Sequence, residues 1–492
     1  MKSDFSRQVE RDKKVIAESV RQQLPIVITT YTLPRNMETY VREVLRIFLE
    51  ECHQDHMYEY LNFCLGELLT NAKKANTKRV YFKYKNLDIN NLDDYKKGME
   101  NFKEETLSNI DHFLELQKRA GLYIKLVFQF KGDKVKIEIR NNSVLTPIEK
   151  ERIQNKLDSV QQYTSMEDAF HRILDQSEGA GLGIIIMILM LQKIGLSKDN
   201  YQVMVDGNET VTRIVLPCNE KIFGGTDMLC YQFVRLQDSI PCLKDSFAKV
   251  QKFGTSKKMS RSDLYDMVSK DTMLTMLLLK RAFAKGCKEL DLIKVFECLS
   301  DEELSEIYSL DNPDVSIVRS NKTARPYFVH AQNVAEFAYN IAKNYDIAKI
   351  FTPSEMYTIG LLNSFGILIL KTASDEQKEY VEDLLEGYDD LADKVRGVFY
   401  SGIEAPYLGM VYTKKEGFPD AVDSVIGFWN DMDEVKNKEL LPAHKIIYLA
   451  ESLQSFNEGN LEFYQLDKEI LSTFNITSEG QFKGLLNMLT KA

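Results

Sequence analysis

The sequence predicts two domains of different class, an N-terminal α+β sandwich over residues 25–217 and an all-α C-terminal domain over residues 236–492. Three observations predict this. Apolar and polar residues alternate with period two in Tyr123–Phe130 and Lys134–Arg140, on either side of Gly132-Asp133, as they do in a hairpin. Up to Pro217 such runs are interleaved with segments of helical periodicity. From Asp238 onward the pattern is almost wholly helical, punctuated at Pro241, Pro313, Pro326, Pro353, Pro406, Pro419 and Pro442.

Taken in order, residues 1–24 are a highly charged helix, and Pro25–Leu33 is β-branched and aromatic like a buried strand. Asn36–Cys52 and Met57–Ala75 are helices, the second turning Leu61, Leu65, Leu68, Ala72 and Ala75 toward a core. Arg79–Lys85 (RVYFKYK) alternates and reads as a further strand. Asp93–Arg119 is polar and helix-prone with an irregular apolar stripe, and a helical segment runs from Pro147 to about Ser177. A Gly-rich turn then opens an apolar helix at 184–194, and two strands end at Pro217. Residues 218–235 read as a linker, hinged at Lys221–Thr226 (KIFGGT). Beyond it, Asp271–Ala284 and His330–Ala342 carry small and apolar residues at the spacing of packed bundle helices.

With 492 residues, 44% of them hydrophobic, the chain can bury more than one core. Its 73 acidic and 63 basic residues leave a net charge of -10, the wrong sign for a general polyphosphate binder, so nucleic acid is not an expected partner. Seven cysteines without a C-x-x-C suit reduced thiols. The first residues, MKSDFSRQVERDKK, are charged where a signal peptide is apolar. The longest apolar run, Ile184–Leu191, falls far short of the roughly 18 residues a membrane span needs. A cytoplasmic protein with no membrane partner is expected.

Two stretches carry chemistry. Glu67 and Asn71 lie four apart on one helix face with Lys74 a further turn along, and six basic residues and no acid occupy 73–85. An amide oxygen is a hard ligand for Mg2+, a carboxylate aligns water and ammonium groups offset phosphate charge, so this face suits a magnesium phosphate. A solvated helix face is the plainer reading. The run Ser177–Gly183 (SEGAGLG) precedes an apolar helix, where glycines let backbone N–H groups approach an anion. A tight turn requiring positive φ explains it as well.

The order of these elements raises their meaning. Gly66–Ala75 (GELLTNAKKA) resembles the N-box of the GHKL superfamily, the ATP-binding domain of histidine kinases, gyrase, Hsp90 and MutL. Glu178–Ile184 (EGAGLGI) resembles its G2 box, and Gly207–Pro217 its closing strand. The resemblance spans about residues 25–217 and implies a Bergerat-type ATP-binding fold. It implies that Asn71 ligands Mg2+, that Glu67 positions water as a base, and that Gly179, Gly181, Leu182 and Gly183 cradle ATP phosphates under a lid at 146–178. Lys74 and Thr210 would lie on the phosphate side. Where that family has Asp-x-Gly-x-Gly, this chain reads Asn141-Asn142-Ser143. Asn141 can still accept from an adenine amino group, but without the charge that makes such a bond worth about 1.5–3 kcal/mol. Ser143 puts a side chain where glycine allowed close approach. Alternatively the Asn141 amide donates to a guanine carbonyl, or the pocket holds no nucleotide.

Gly360–Leu370 (GLLNSFGILIL), following the His330 helix, resembles the HDOD domain, a catalytically degenerate relative of HD phosphohydrolases. Asn363 and Ser364 stand at the His-Asp positions, and Phe428-Trp429 falls about where a later histidine pair would be. Hydrolysis by this domain is not expected, because only His330 and His444 remain after residue 217. Together the resemblances imply a signalling or regulatory protein, a nucleotide-binding switch joined to an interaction module, with a protein partner. An active ATPase or anti-sigma-type serine protein kinase is the second reading and a nucleotide-free pseudokinase scaffold the third. Residues 1–23 could pair two copies as a dimerising helix or lie solvated on the surface.

Overall fold

A computed structural model describes residues 5–132, 134–159, 182–193, 196–218, 220–253, 259–318, 324–345, 347 and 350–490. The chain divides into two compact units, Met1–Val20 with Leu24–Cys218 and Arg21–Gln23 with Asn219–Ala492.

The first unit is built on an antiparallel sheet in the order β1-β2-β3-β5-β4, from β1 (Ile26–Thr30), β2 (Ile124–Lys131), β3 (Lys134–Asn141), β4 (Tyr201–Asp206) and β5 (Glu209–Pro217). The expected hairpin is β2–β3, with Lys131 opposite Lys134 and Gly132 at φ +58. Register sets the faces. Residues opposite one another form rows on one side, Phe128–Ile137–Ile214–Tyr201 and Leu126–Ile139–Thr212–Val203, all buried except the half-buried Thr212 and Val203 toward the β4 edge. One row further along, Asn141 pairs with Thr210, so this apolar face turns polar at one end of the sheet.

Among the described residues the unit also has helices α1 (Phe5–Arg21), α2 (Arg35–Glu51), α3 (Tyr58–Tyr84), α4 (Leu92–Glu100), α5 (Phe102–Ser108), α6 (Ile110–Arg119), α7 (Pro147–Ser159) and α8 (Leu182–Lys193). Helix α1 buries Ile16 and Val20 within this chain, so it is neither wholly solvated nor free along that side to pair with a second copy. The predicted strand at Arg79–Lys85 is instead the last two turns of α3. Its three consecutive buried residues, Val80, Tyr81 and Phe82, point about 100° apart on a helix, so they need apolar partners on more than one side. Tyr95, Phe102 and Phe113, from the three helices that replace the single predicted one at 93–119, supply them. Gly98 admits the Phe82 ring, which an added Cβ would meet at 2.5 Å.

Residues 218–235 correct the linker expectation, because they fall largely within helix α9 (Glu220–Leu236). Each glycine of the supposed hinge costs a helix roughly 1 kcal/mol relative to alanine. Burial of Leu229, Cys230, Phe233 and Val234, at about 1.5–3 kcal/mol for a large side chain, outweighs it. The rest of the second unit is helical as expected, apart from a parallel pair of short strands, β6 (Ile240–Leu243) and β7 (Val315–Val318), that the proline at 241 concealed. Its core is formed by α10 (Thr272–Ala284), α11 (Leu292–Glu297), α12 (Arg325–Asn344), α13 (Pro353–Asn363), α14 (Phe365–Lys371), α15 (Ala405–Lys415), α16 (Asp420–Phe428) and α17 (Leu441–Asn457), with further helices between them. Asp271 caps α10 through the N–H groups of Met273 and Leu274. At Gly366 helices α14 and α15 touch through backbone, since an added Cβ would stand 1.9 Å from the Ala405 carbonyl oxygen.

Candidate functional site

The polar end of the sheet face and the middle of α3 enclose a cavity of about 260 Å³. Asn71 and Lys74 reach it from α3, Asn141 from β3 and Thr210 from β5, so three segments far apart in sequence share one lining. Leu68, Leu145, Ile153, Ile184 and Val203 give the space an apolar lining. Asn71 and Lys74 are exposed, whereas Asn141 and Thr210 are buried.

Behind that wall lies a hydrogen-bond network. The Asn141 amide donates to Ser143 Oγ at 3.0 Å and to Asn76 Oδ1 at 3.4 Å, and Ser143 Oγ donates to Asn76 Oδ1. Asn76 donates in turn to the Tyr123 carbonyl at 3.1 Å, and Thr210 Oγ1 to the Ser143 carbonyl at 2.7 Å. Ser143 Oγ and Asn76 Oδ1 are bonded to each other and lie on one side of the Asn141 amide, so they share one of its hydrogens and leave the second N–H and the carbonyl oxygen for a ligand. A donor toward a guanine carbonyl and an acceptor toward an adenine amino group both stay open. Ser143 turns its hydroxyl into the network and is not part of the cavity lining.

Positive charge gathers at the other end. Lys78 and Arg79 of α3 hold the Glu149 carboxylate at 2.8 and 2.6 Å, and Lys78 and Arg152 both donate to the Tyr95 hydroxyl at 3.3 Å. Burial alone would raise the Glu149 carboxyl, but the Arg79 hydrogen bond and the Lys78 and Arg79 charges outweigh it and hold the group down at about 2. With Lys74, Lys78, Arg152 and Lys156 against Glu149, the lining favours an anion.

Glu67 lies outside this cavity. One turn before Asn71 on α3, it lines a separate and wider hollow of about 720 Å³ with Arg42, Asn62 and Gly66. Leu182 and Gly183 begin α8, while Gly179 and Gly181 and most of the expected lid lie outside the described residues. Sequence reasoning missed Asn76, which is fully buried and organises the network. Its signal was present as a polar residue at the next step of the 61–65–68–72 apolar stripe.

The second unit holds a contrasting polar cluster. His330 of α12 places Nε2 at 2.8 Å from Glu451 and Nδ1 at 3.0 Å from Glu458, with Glu451 on α17 and Glu458 just past its end. Asn363 Nδ2, at 2.5 Å, donates to the other Glu451 oxygen, and Gln454 donates to Glu458 at 2.7 Å. Burial would lower the imidazole, yet the charge and hydrogen bond of Glu451, then those of Glu458, raise it to about 10. His330 is thus a buried cation and not the ordinary surface or packing histidine the sequence suggested. Asn363 Oδ1 and Gln454 Oε1 remain buried without a donor, which follows from turning both amide N–H groups toward carboxylates. Among the described residues no three His, Cys, Asp or Glu side chains are grouped to hold a metal ion. No single helix among them is long and apolar enough to cross a membrane.

A protein of Treponema pallidum (strain Nichols), described only as an uncharacterized protein, is 33% identical over 481 residues, covering 97% of this chain and 93% of its own. The two belong to one family. No protein-family model matches the chain. Two solved structures of the MmoQ response regulator of Methylococcus capsulatus str. Bath, one of them its fragment 20–298, align at TM-score 0.37 and 18% identity. They cover 51% and 49% of this chain and 98% and 93% of theirs, a likeness too slight to fix a shared fold.

Proposed function

We propose that the first unit is a GHKL-type nucleotide-binding switch and the second a catalytically degenerate HDOD-like interaction module, together serving a signalling partner. One observation carries the reading. Residues singled out from separate sequence motifs, Asn71, Lys74, Asn141 and Thr210, line a single cavity with apolar walls and a basic rim. Asn141 can serve either base, since its amide keeps an acceptor for an adenine amino group and a donor for a guanine carbonyl. The residues also fit Mg2+, which commonly takes only one or two protein oxygens beside phosphate and water, with Asn71 supplying the hard amide oxygen. Lys74 would offset phosphate charge.

Isothermal titration of the whole protein with ATP, ADP and GTP plus Mg2+, with Asn71→Ala as control, tests this. Binding of any of these nucleotides that weakens in the control supports the switch, and their order shows which base Asn141 accepts. No heat with any nucleotide overturns it in favour of a nucleotide-free scaffold. A second reading, an ATPase or serine protein kinase, draws on the half-buried Glu67 one turn from Asn71. Phosphate release or transfer that disappears in Glu67→Ala would establish it; intact binding without turnover would leave the switch.

A further inference from the structure

The chain has seven cysteines, and they are not equivalent. Cys52, Cys64, Cys218, Cys230 and Cys242 are buried, while Cys287 is half-buried and Cys298 exposed. Desolvation raises the thiols of Cys52, Cys64, Cys230 and Cys242, which disfavours the reactive thiolate there. The two accessible sulfurs are close together. Their Sγ atoms stand 2.8 Å apart, within 1 Å of the disulfide bond length of about 2.05 Å.

The backbone holds them there. Cys287 follows α10, its N–H bonded to the Ala282 carbonyl at 3.0 Å beyond the left-handed turn at Gly286. Cys298 caps α11, its N–H bonded to the Lys294 carbonyl at 3.0 Å. The ten residues between are themselves anchored, Leu290 and Leu292 by burial and Glu289 to Lys294 by an ion pair at 3.3 Å. Bringing the sulfurs into bonding distance therefore needs little more than side-chain rotation.

We propose that Cys287 and Cys298 are a thiol-oxidation site that closes reversibly to an intramolecular disulfide in exchange with a small-molecule disulfide such as oxidised glutathione. The Cys287 thiolate attacks one sulfur of the small disulfide, breaking its S–S bond and releasing one thiolate. Cys298 then attacks the mixed disulfide, forming the protein S–S bond and releasing the second thiolate. Two protein thiols are oxidised by two electrons, the small disulfide is reduced, and the two protons pass to the released thiols. The disulfide would tie the end of α10 to the end of α11.

The test uses the folded full-length chain equilibrated in glutathione buffers of increasing oxidised fraction, then quenched with an alkylating agent. Two thiols per chain should be lost and five retained. After trypsin the peptide Gly286–Lys288 should be joined to one beginning at Val295, with Glu289–Lys294 released, and dithiothreitol should reverse the change. Cys298→Ser should instead carry glutathione on Cys287. Retention of all seven thiols, loss from the buried five, or a cross-link joining two chains would each overturn the proposal.

Discussion

The two polar clusters invite comparison. In the first unit Asn141, Asn76, Ser143 and Thr210 bond to one another beside an open cavity. In the second, His330 meets the carboxylates of Glu451 and Glu458, and the Asn363 amide donates to Glu451, all at or below 3.0 Å. Burying neutral amides and hydroxyls costs little once each finds a partner, so the first cluster can leave an edge for a ligand. Burying carboxylates without a cation costs several kcal/mol each, so the second recruits an internal imidazolium. Buried acids keep their charge where the chain itself supplies a counterion, as His330 does for Glu451 and Glu458.

The sharpest way to break this comparison is His330→Ala, which strands two carboxylates and should cost about 3–5 kcal/mol in the denaturant unfolding of the second unit. Because the folded imidazole titrates at about 10, above its ordinary 6.5, its stabilisation is complete below pH 6.5 and is lost as pH rises toward 10. Wild-type stability should therefore fall across that window, and the variant should lack that slope. A variant within about 1 kcal/mol of wild type would sink the charged-histidine account.

Glu149→Gln probes the ionic end of the first cluster. With its carboxyl held at about 2 against an ordinary 4.5, the anion contributes in full above pH 4.5 and its contribution fades as pH falls toward 2. The shift corresponds to about 3 kcal/mol, and Gln should remove much of that at neutral pH while leaving Lys78 and Arg79 with less counter-charge. Urea melts at pH 7 and pH 3 should differ less for the variant than for wild type; equal differences would refute the assignment.

The smallest expected effect is at Asn141→Ala. Removing one neutral hydrogen-bonding group should weaken ATP by roughly tenfold, about 1.4 kcal/mol, in the titration described above. An unchanged affinity would separate the amide from ligand recognition and leave only its structural bonds.

Part of this was legible in the sequence. Period-two alternation around Gly132 marks the β2–β3 hairpin because a half-buried strand must alternate, and the stripe Leu61, Leu65, Leu68 and Ala72 marks the buried side of α3 for the analogous helical reason. Asn71, Lys74, Asn141 and Thr210 could be picked out by residue chemistry, though nothing local shows that they meet. RVYFKYK misled because β-branched and aromatic residues favour a strand only when a sheet edge is their best partner, and here three helices bury them.

By itself, then, the sequence determined the periodic elements and the types of side chain available, since both follow from local geometry and composition. Tertiary structure decided whether Val80–Phe82 is helix or strand, which partners Asn141 bonds, and that His330 carries a charge. Each depends on partners scores of residues away, Phe102 and Phe113 for α3, Asn76 for Asn141, Glu451 and Glu458 for His330, and burial makes those partners decisive.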